Sequence, residues 1–77
     1  MTAEQRDLSQ AQFEAKCAKL GFKAQGFMGY YDLGIPGHSW HSSVLNAGPR
    51  RRRQLAYLLD ERKRRVAQIA AETAVTT

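Results

Sequence analysis

The chain has 77 residues, of which 43% are hydrophobic and 25% charged, and its formal net charge is +5. This length permits one small domain, and the balance of apolar and charged residues is that of a folded protein rather than a disordered one. No apolar run approaches the roughly 18 residues of a membrane-spanning helix, and a single cysteine excludes an internal disulfide and any multi-cysteine zinc module.

A short helix is predicted at about residues 10–20. Ser9 precedes it and Gln12 follows three residues later, which is the spacing of a capping box. Gly21 stands where helices commonly end in a left-handed residue. One apolar stripe follows the helical period: Phe13, Cys17 and Leu20. We therefore expect Cys17 to be a small buried hydrophobe rather than a nucleophile.

A two-stranded antiparallel hairpin is predicted at about residues 26–45. Aromatic residues are dense there, and Pro36-Gly37 suits the centre of a type II turn. One face at period two is expected to pack inside: Phe27, Tyr31 and Leu33 on the first strand, and Trp40, Ser42 and Val44 on the second. Tyr30 alternates away from them, so we expect it to be exposed, where it could stack on a nucleic-acid base.

A longer helix is predicted at about residues 49–72, with a flexible tail at 74–77. Pro49 is tolerated at the first helical position, where no amide hydrogen is needed. A heptad-like seam runs along this helix: Leu55, Leu59, Arg62, Val66, Ile69 and Thr73. Because the first helix is less than half as long, the C-terminal half of the seam has no obvious partner in its own chain. This half could therefore fray, or a homodimer through the long helix could cover it; a small core favours a homodimer, through the long helix or through paired sheet edges.

These elements predict a small single-domain α+β fold with the order α-β-β-α. Both helices are expected to pack against one face of the two-stranded antiparallel hairpin, because two strands alone are marginal in water. An all-helical fold is the main alternative, and Pro36 with the glycines around it argues against that.

The excess positive charge lies within residues 50–65. This segment holds eight basic and two acidic residues, whereas the rest of the chain holds four basic and five acidic ones. The first cluster breaks a local rule, because cations oppose the positive end of the helix dipole: Arg50, Arg51, Arg52 and Arg53. A bound phosphate or carboxylate would reverse that penalty. The alternative is a solvated charged run whose arginine stems cover apolar surface.

A second basic cluster follows at Arg62, Lys63, Arg64 and Arg65. Successive helical residues are about 100° apart, so four consecutive cations spread around the helix and cannot all face one surface. Most of them could still reach phosphates if the helix lay along a nucleic-acid groove. Arg62 falls on the apolar seam, where an acidic group of a partner could pair with it. Alternatively, cations late in a helix simply complement its dipole.

The sequence predicts no metal site and no catalysis. His38 and His41 differ by three positions in a predicted strand, so they point to opposite faces and cannot converge with Cys17 as zinc ligands. The serines lie in no nucleophile elbow, and the glycine-rich stretch 26–37 fits neither a P-loop nor a dinucleotide fingerprint. We expect no cofactor, no small-molecule substrate and no membrane association.

Three segments within residues 21–65, Gly-Phe-Met-Gly-Tyr-Tyr-Asp-Leu-Gly, Leu-Asn-Ala-Gly and Gln-Leu-Ala-Tyr-Leu-Leu, resemble short accessory proteins of phages and mobile elements. The resemblance implies expression in the bacterial host cytoplasm and a binding role. Such proteins regulate DNA or block a host defence complex, as anti-CRISPR proteins do. Residues 1–7 lack a basic stretch leading into an apolar one, so we also expect no secretory signal.

The sequence therefore predicts a small, basic, non-enzymatic nucleic-acid-binding module, with DNA as the expected ligand. The residues expected at the interface are Arg50, Arg51, Arg52, Arg53, Gln54, Arg62, Lys63, Arg64, Arg65 and Tyr30. An alternative is a phage-borne inhibitor that uses the same arginines against an acidic protein surface. A third interpretation takes the long helix as an assembly element whose charges only keep it soluble.

Overall fold

The computed structural model describes residues 6–26 and 28–76. Two helices and a three-stranded antiparallel sheet confirm the α+β class. The elements are α1 at Gln10–Leu20, β1 at Lys23–Ala24, β2 at Tyr30–Asp32, β3 at His41–Ser43, a 3-10 helix at Val44–Ala47 and α2 at Arg51–Thr76. Phe27, which the sequence predicted to point inward, lies outside the described residues.

Helix α1 has the bounds and the caps that the sequence predicted. The Ser9 hydroxyl accepts a hydrogen bond from the Gln12 amide at 3.1 Å, and the Gln12 side chain accepts one from the Ser9 amide at 2.9 Å. At the other end Gly21 adopts a left-handed conformation with φ 87°. The helix buries Phe13 and Cys17, so the prediction of a buried thiol is confirmed.

The sheet has one strand more than predicted, and its order is β1-β2-β3. The sequence gives no signal for β1, because both of its side chains are exposed and two residues show no period. Strand β3 is shorter than expected, since the Ser43 hydroxyl accepts a hydrogen bond from the Leu45 amide at 3.3 Å and starts the 3-10 helix. The same hydroxyl donates to the Met28 carbonyl at 2.7 Å, which fixes the turn before β2.

The hairpin between β2 and β3 closes at Pro36-Gly37. The His38 amide donates to the Ile35 carbonyl at 3.1 Å, and Gly37 has φ 79°, as the third position of a type II turn requires. Gly34 has φ 69°, and a Cβ built there would lie 2.5 Å from the carbonyl oxygen of Gly21. This close approach packs the hairpin against the end of α1.

One face of the sheet carries the core. The Tyr31 ring meets Phe13 of α1 edge to face, with ring centroids 5.8 Å apart, and Trp40 on the same face contacts α2. The buried apolar cluster joins the segment before α1, both helices and the hairpin: Leu8, Phe13, Cys17, Phe22, Leu33, Ile35, Val44 and Leu58. The predicted packing of both helices on one sheet face is therefore observed.

Helices α1 and α2 run parallel. Arg51 contacts Gln10 near both N-termini, and Arg62 contacts Leu20 at the end of α1. These anchors are about 15 Å apart along either helix at about 1.5 Å per residue. Helix α2 then continues past α1 to Thr76 and gives the molecule a long dimension of 51 Å.

Two expectations for α2 are corrected by its position. The helix begins at Arg51, after Pro49, and includes residues 74–76 instead of ending at about 72. Ile69 packs against the core, so the C-terminal half of the seam has a partner in its own chain at this position, whereas Val66 is exposed. None of the helices within residues 6–26 and 28–76 is both long and apolar enough to cross a membrane.

The buried face of α2 is rotated from the predicted seam. Leu58 is fully buried, whereas Leu59 and Val66 are exposed by 38% and 49%. The residues that face the core still follow a heptad-like spacing, but the series begins at Arg51. Leu58 and Arg65 therefore take the inward positions that the sequence predicted for Leu59 and Val66. The rotation follows from contacts of α2 on both sides of Leu58. Arg62 contacts Leu20 of α1 on one side, and the Tyr57 hydroxyl accepts a hydrogen bond from Asn46 of the 3-10 helix on the other.

Candidate nucleic-acid interface

The N-terminus of α2 is occupied by a carboxylate of the chain itself. Asp7 accepts hydrogen bonds from the backbone amides of Arg51 at 3.1 Å and Arg52 at 3.0 Å. These two bonds hold the pKa of the Asp7 carboxyl below its ordinary value, and the positive charge of Arg50 acts in the same direction. The sequence predicted an external anion here, but the structure supplies an internal one.

Two arginines of the first cluster hold the segment that precedes α1. The Arg51 guanidinium donates to the Leu8 carbonyl and to the Gln10 side chain, both at 3.2 Å. Arg52 Nε donates to the Arg6 carbonyl at 2.6 Å. Both arginines are half-buried, so the structure gives them a role in holding this segment, and their expected role at a phosphate interface stays a prediction.

Two arginines of the second cluster also face inward. The Arg62 guanidinium lies 4.5 Å from the centre of the Phe22 ring and donates to the Leu20 carbonyl. A cation at this carbonyl also complements the C-terminal dipole of α1. The Arg65 guanidinium lies 5.1 Å from the centre of the Trp40 ring. Within residues 6–26 and 28–76 neither arginine pairs with an acidic group, and both guanidinium groups lie on aromatic rings rather than beside Arg53 and Lys63.

The other basic residues of the two clusters lie on the solvent side. Arg50, Arg53 and Lys63 are exposed, and within residues 6–26 and 28–76 the side chains of Arg53 and Lys63 make no hydrogen bond or ion pair. Arg64 has a side chain that is 65% exposed, and it pairs with Asp60 at 3.4 Å and with Glu61.

Two further predicted interface residues lie elsewhere. Gln54 is half-buried and donates from Nε2 to the Gly48 carbonyl at 2.8 Å, so it fixes the loop before α2. Tyr30 is exposed, as predicted. It lies on the sheet face opposite Tyr31, because side chains alternate along a strand. Since Tyr31 packs on α1, Tyr30 points away from the helices and does not join the arginines.

The solvent side of α2 has a regular arrangement. Arg53 and Arg64 lie within about 20° of each other around the helix axis, and Lys63 lies about 80° from Arg53. The positions between these two flanks carry mostly small side chains: Ala56, Asp60 and Ala67. We call the surface formed by these six residues the outer face of α2. Arg53 and Lys63 are about 15 Å apart along the axis.

The charge of the described residues is compensated unevenly. Each acidic side chain within residues 6–26 and 28–76 has an internal partner. Asp7 caps α2, Asp32 accepts from the Gly34 amide, and Asp60 and Glu61 pair with Arg64. Side-chain amides bind the other two acids: Glu14 and Glu72. Arg53 and Lys63 have no such partner, so the outer face of α2 carries unpaired positive charge that is exposed to solvent.

The cysteine and the two histidines contact other residues of the fold. Burial, followed by the negative charge of Glu14, raises the pKa of the Cys17 thiol and keeps it protonated. The His38 ring lies against Trp40 with centroids 5.1 Å apart, and His41 Nε2 lies 3.8 Å from Asp32. Within the described part of the chain, no group of three or more His, Cys, Asp or Glu side chains is placed to hold a metal ion.

The fold and this surface define a small α+β protein with unpaired cations on the exposed face of its long helix. No family model matches the chain, and no curated protein or solved structure matches it.

Proposed function

We propose that the protein is a non-enzymatic module that binds duplex DNA through the outer face of α2. The observation that carries the proposal is the pair of uncompensated cations, Arg53 and Lys63, on opposite flanks of a strip of small residues. The major groove of DNA is about 12 Å wide and admits an α-helix. Cations on both flanks of such a helix reach phosphates of both strands.

The centre of the outer face suits a close approach to the base edges. Ala56 and Ala67 are exposed and small, so they do not hold the helix away from the groove floor. Asp60 lies between them, 3.4 Å from Arg64, and a carboxylate there can accept a hydrogen bond from the amino group of cytosine. Arg50, exposed just before α2, extends the phosphate contacts.

A titration of fluorescently labelled duplex DNA at several salt concentrations tests this function. Arg53→Gln and Lys63→Gln should each lower affinity and reduce the slope of log K against log salt by about one unit, since each removes one phosphate contact. Lys23→Gln is the matched control, because Lys23 is exposed on β1 and its loss changes the net charge equally.

Lys23→Gln should leave the slope unchanged. Absence of DNA binding by the folded protein at low salt would overturn the proposal, as would an equal effect of all three substitutions.

Arg62→Gln has a different expected effect, because the Arg62 guanidinium packs on Phe22. It should lower the free energy of unfolding by about 1–2 kcal/mol without changing the slope for the protein that remains folded.

A second candidate is inhibition of a host defence or nucleic-acid-processing complex by binding an acidic protein surface. The observation that favours it is the cluster of Asp60 and Glu61 around Arg64, because alternating charges suit a protein partner better than a phosphate backbone. The DNA titration separates the two candidates. Tight binding to one host protein by a folded chain that shows no DNA affinity at low salt supports inhibition.

A further inference from the structure

A groove with an apolar floor runs between α1 and α2, beside the outer face. It starts as a shallow cavity of about 230 Å³ lined by Lys16, Lys19, Leu20 and Leu55. Leu59 and Val66 continue the same line along α2, within about 40° of Leu55 around the helix axis, and Val66 lies just past Leu20, where α1 ends. The half-buried Arg62 lies between them on this line. We call the surface of Leu20, Leu55, Leu59 and Val66 the α1–α2 groove. Its α2 side is about 16 Å long.

The floor of the groove leaves large apolar side chains in water. Leu59 and Val66 are exposed by 38% and 49%, although Leu58 beside them is fully buried. They are the two apolar residues of the heptad-like seam of α2 that do not pack against the buried core. A row of apolar side chains at helical spacing is the surface that an amphipathic helix recognises.

The rim of the groove is cationic. Lys16 and Lys19 border it on α1 and Lys63 borders it on α2, and all three are exposed. None of the three makes a hydrogen bond or ion pair with the part of the chain that the structure describes. The acidic side chains of α2 lie about 100° or more around the helix from Leu59. Glu14 lies on the opposite flank of α1 from Lys16.

We propose that the α1–α2 groove docks an acidic amphipathic helix of a partner protein. Apolar side chains spaced i, i+4 and i+7 on that helix would cover Leu55, Leu59 and Val66, and its carboxylates would meet the lysines on both rims. Charge complementarity selects an acidic partner and favours rapid association. This docking does not depend on DNA binding, although Lys63 borders both the groove and the outer face of α2.

A second copy of the chain fits the groove less well. A two-fold interface brings the same patch of both copies together, so the lysine rims of the two copies would face each other. Like charges at close range oppose such a contact, and the described acidic side chains, all engaged internally, are not placed to neutralise it. A nucleic acid would satisfy the lysines but would leave the apolar floor uncovered.

The test uses the complete chain and a synthetic helical peptide with leucines at i, i+4 and i+7 and glutamates elsewhere. A second peptide has lysines in place of the glutamates. We expect the acidic peptide to bind, with NMR shift changes confined to residues 16–20 and 55–66, and Val66→Gln to weaken it about tenfold. Leu45→Gln is the matched control, because Leu45 is 60% exposed outside the groove, and it should leave the affinity unchanged.

Arg53→Gln, which is expected to weaken DNA binding, should also leave the peptide affinity unchanged, so the two proposals fail independently. Equal binding of the lysine peptide would overturn the acidic partner, and an unaltered affinity in the Val66→Gln variant would overturn the groove. Self-association that Val66→Gln abolishes would assign the groove to a second copy. Loss of DNA affinity in that variant, with no peptide binding, would assign it to nucleic acid.

Discussion

Residues 62 and 63 are neighbours in sequence and both are cations, yet they serve opposite purposes. The planar guanidinium of Arg62 stacks on Phe22 and donates to the carbonyl that ends α1. A lysine could not do both, because its ammonium is compact and strongly hydrated. Lys63 is exposed. Position 62 therefore requires arginine because its side chain contacts both an aromatic ring and a carbonyl, whereas the exposed position 63 requires only a cation.

Asp7 has an equally specific role, because it caps α2 from outside that helix. We expect Asp7→Asn to lower the melting temperature at about pH 6, since the amide loses the charge and has one acceptor oxygen for the two amides of Arg51 and Arg52. Circular dichroism melts measure the effect. Asp60→Asn, at an exposed ion pair of the same helix, is the control and should change the melting temperature little.

The same carboxylate sets an expected dependence of stability on pH. Because folding lowers the pKa of Asp7 from its ordinary value of 3.8, its contribution is complete above that value and is lost as the pH falls below it. Melting temperatures of the wild type and Asp7→Asn should therefore converge between about pH 4 and pH 2. A constant difference across this range would contradict the assignment of the cap.

At the scale of the elements, the position of the hairpin depends on how closely it approaches the end of α1. Gly34 and Gly37 both have positive φ, but only Gly34 meets another backbone: a Cβ there would lie 2.5 Å from the Gly21 carbonyl oxygen, whereas nothing lies within 4 Å at Gly37. Alanine at Gly37 therefore carries only the cost of a left-handed backbone, whereas alanine at Gly34 carries that cost and a steric clash as well.

We expect Gly37→Ala to lower the free energy of unfolding by about 1–2 kcal/mol, which is the cost of a left-handed alanine. Gly34→Ala should lower it by roughly 3 kcal/mol or more, because the hairpin must also move away from α1. Urea denaturation of both variants measures the difference. Equal losses would show that the contact between Gly34 and Gly21 is not close in solution.

At the scale of the whole molecule, α2 is longer than the core that supports it. Ile69 is the last described residue that packs against the core, and residues 70–74 are exposed. The helix as far as Ile69 therefore contributes to the stability of the domain. Residues 70–74 lengthen the helix without adding buried apolar surface.

A chain that ends after residue 70 should accordingly keep the free energy of unfolding within about 0.5 kcal/mol of the full chain. Ile69→Ala in the full chain should lower it by about 1–2 kcal/mol, because the side chain is half-buried. Thermal and urea unfolding of the two proteins provide the comparison. A truncation as costly as Ile69→Ala would mean that the last turns of α2 also stabilise the fold.

The sequence by itself determined the features that depend on near neighbours. The caps of α1, the turn at Pro36-Gly37 and the inward face with Tyr31 and Trp40 need only residues a few positions apart, so their patterns are visible along the chain. The outward direction of Tyr30 follows from the same alternation. The concentration of positive charge in residues 50–65 is likewise a property of the sequence alone.

Only the tertiary structure decided which cations remain available for binding. Arg51 meets Asp7 across 44 positions and Arg62 meets Leu20 across 42, and no local pattern encodes contacts at such separations. The rotation of α2 that buries Leu58 and exposes Leu59 depends on contacts on both of its flanks. The sequence of an arginine run is the same whether its side chains face solvent or stack on aromatic rings. The partners of each side chain are set by how distant elements pack.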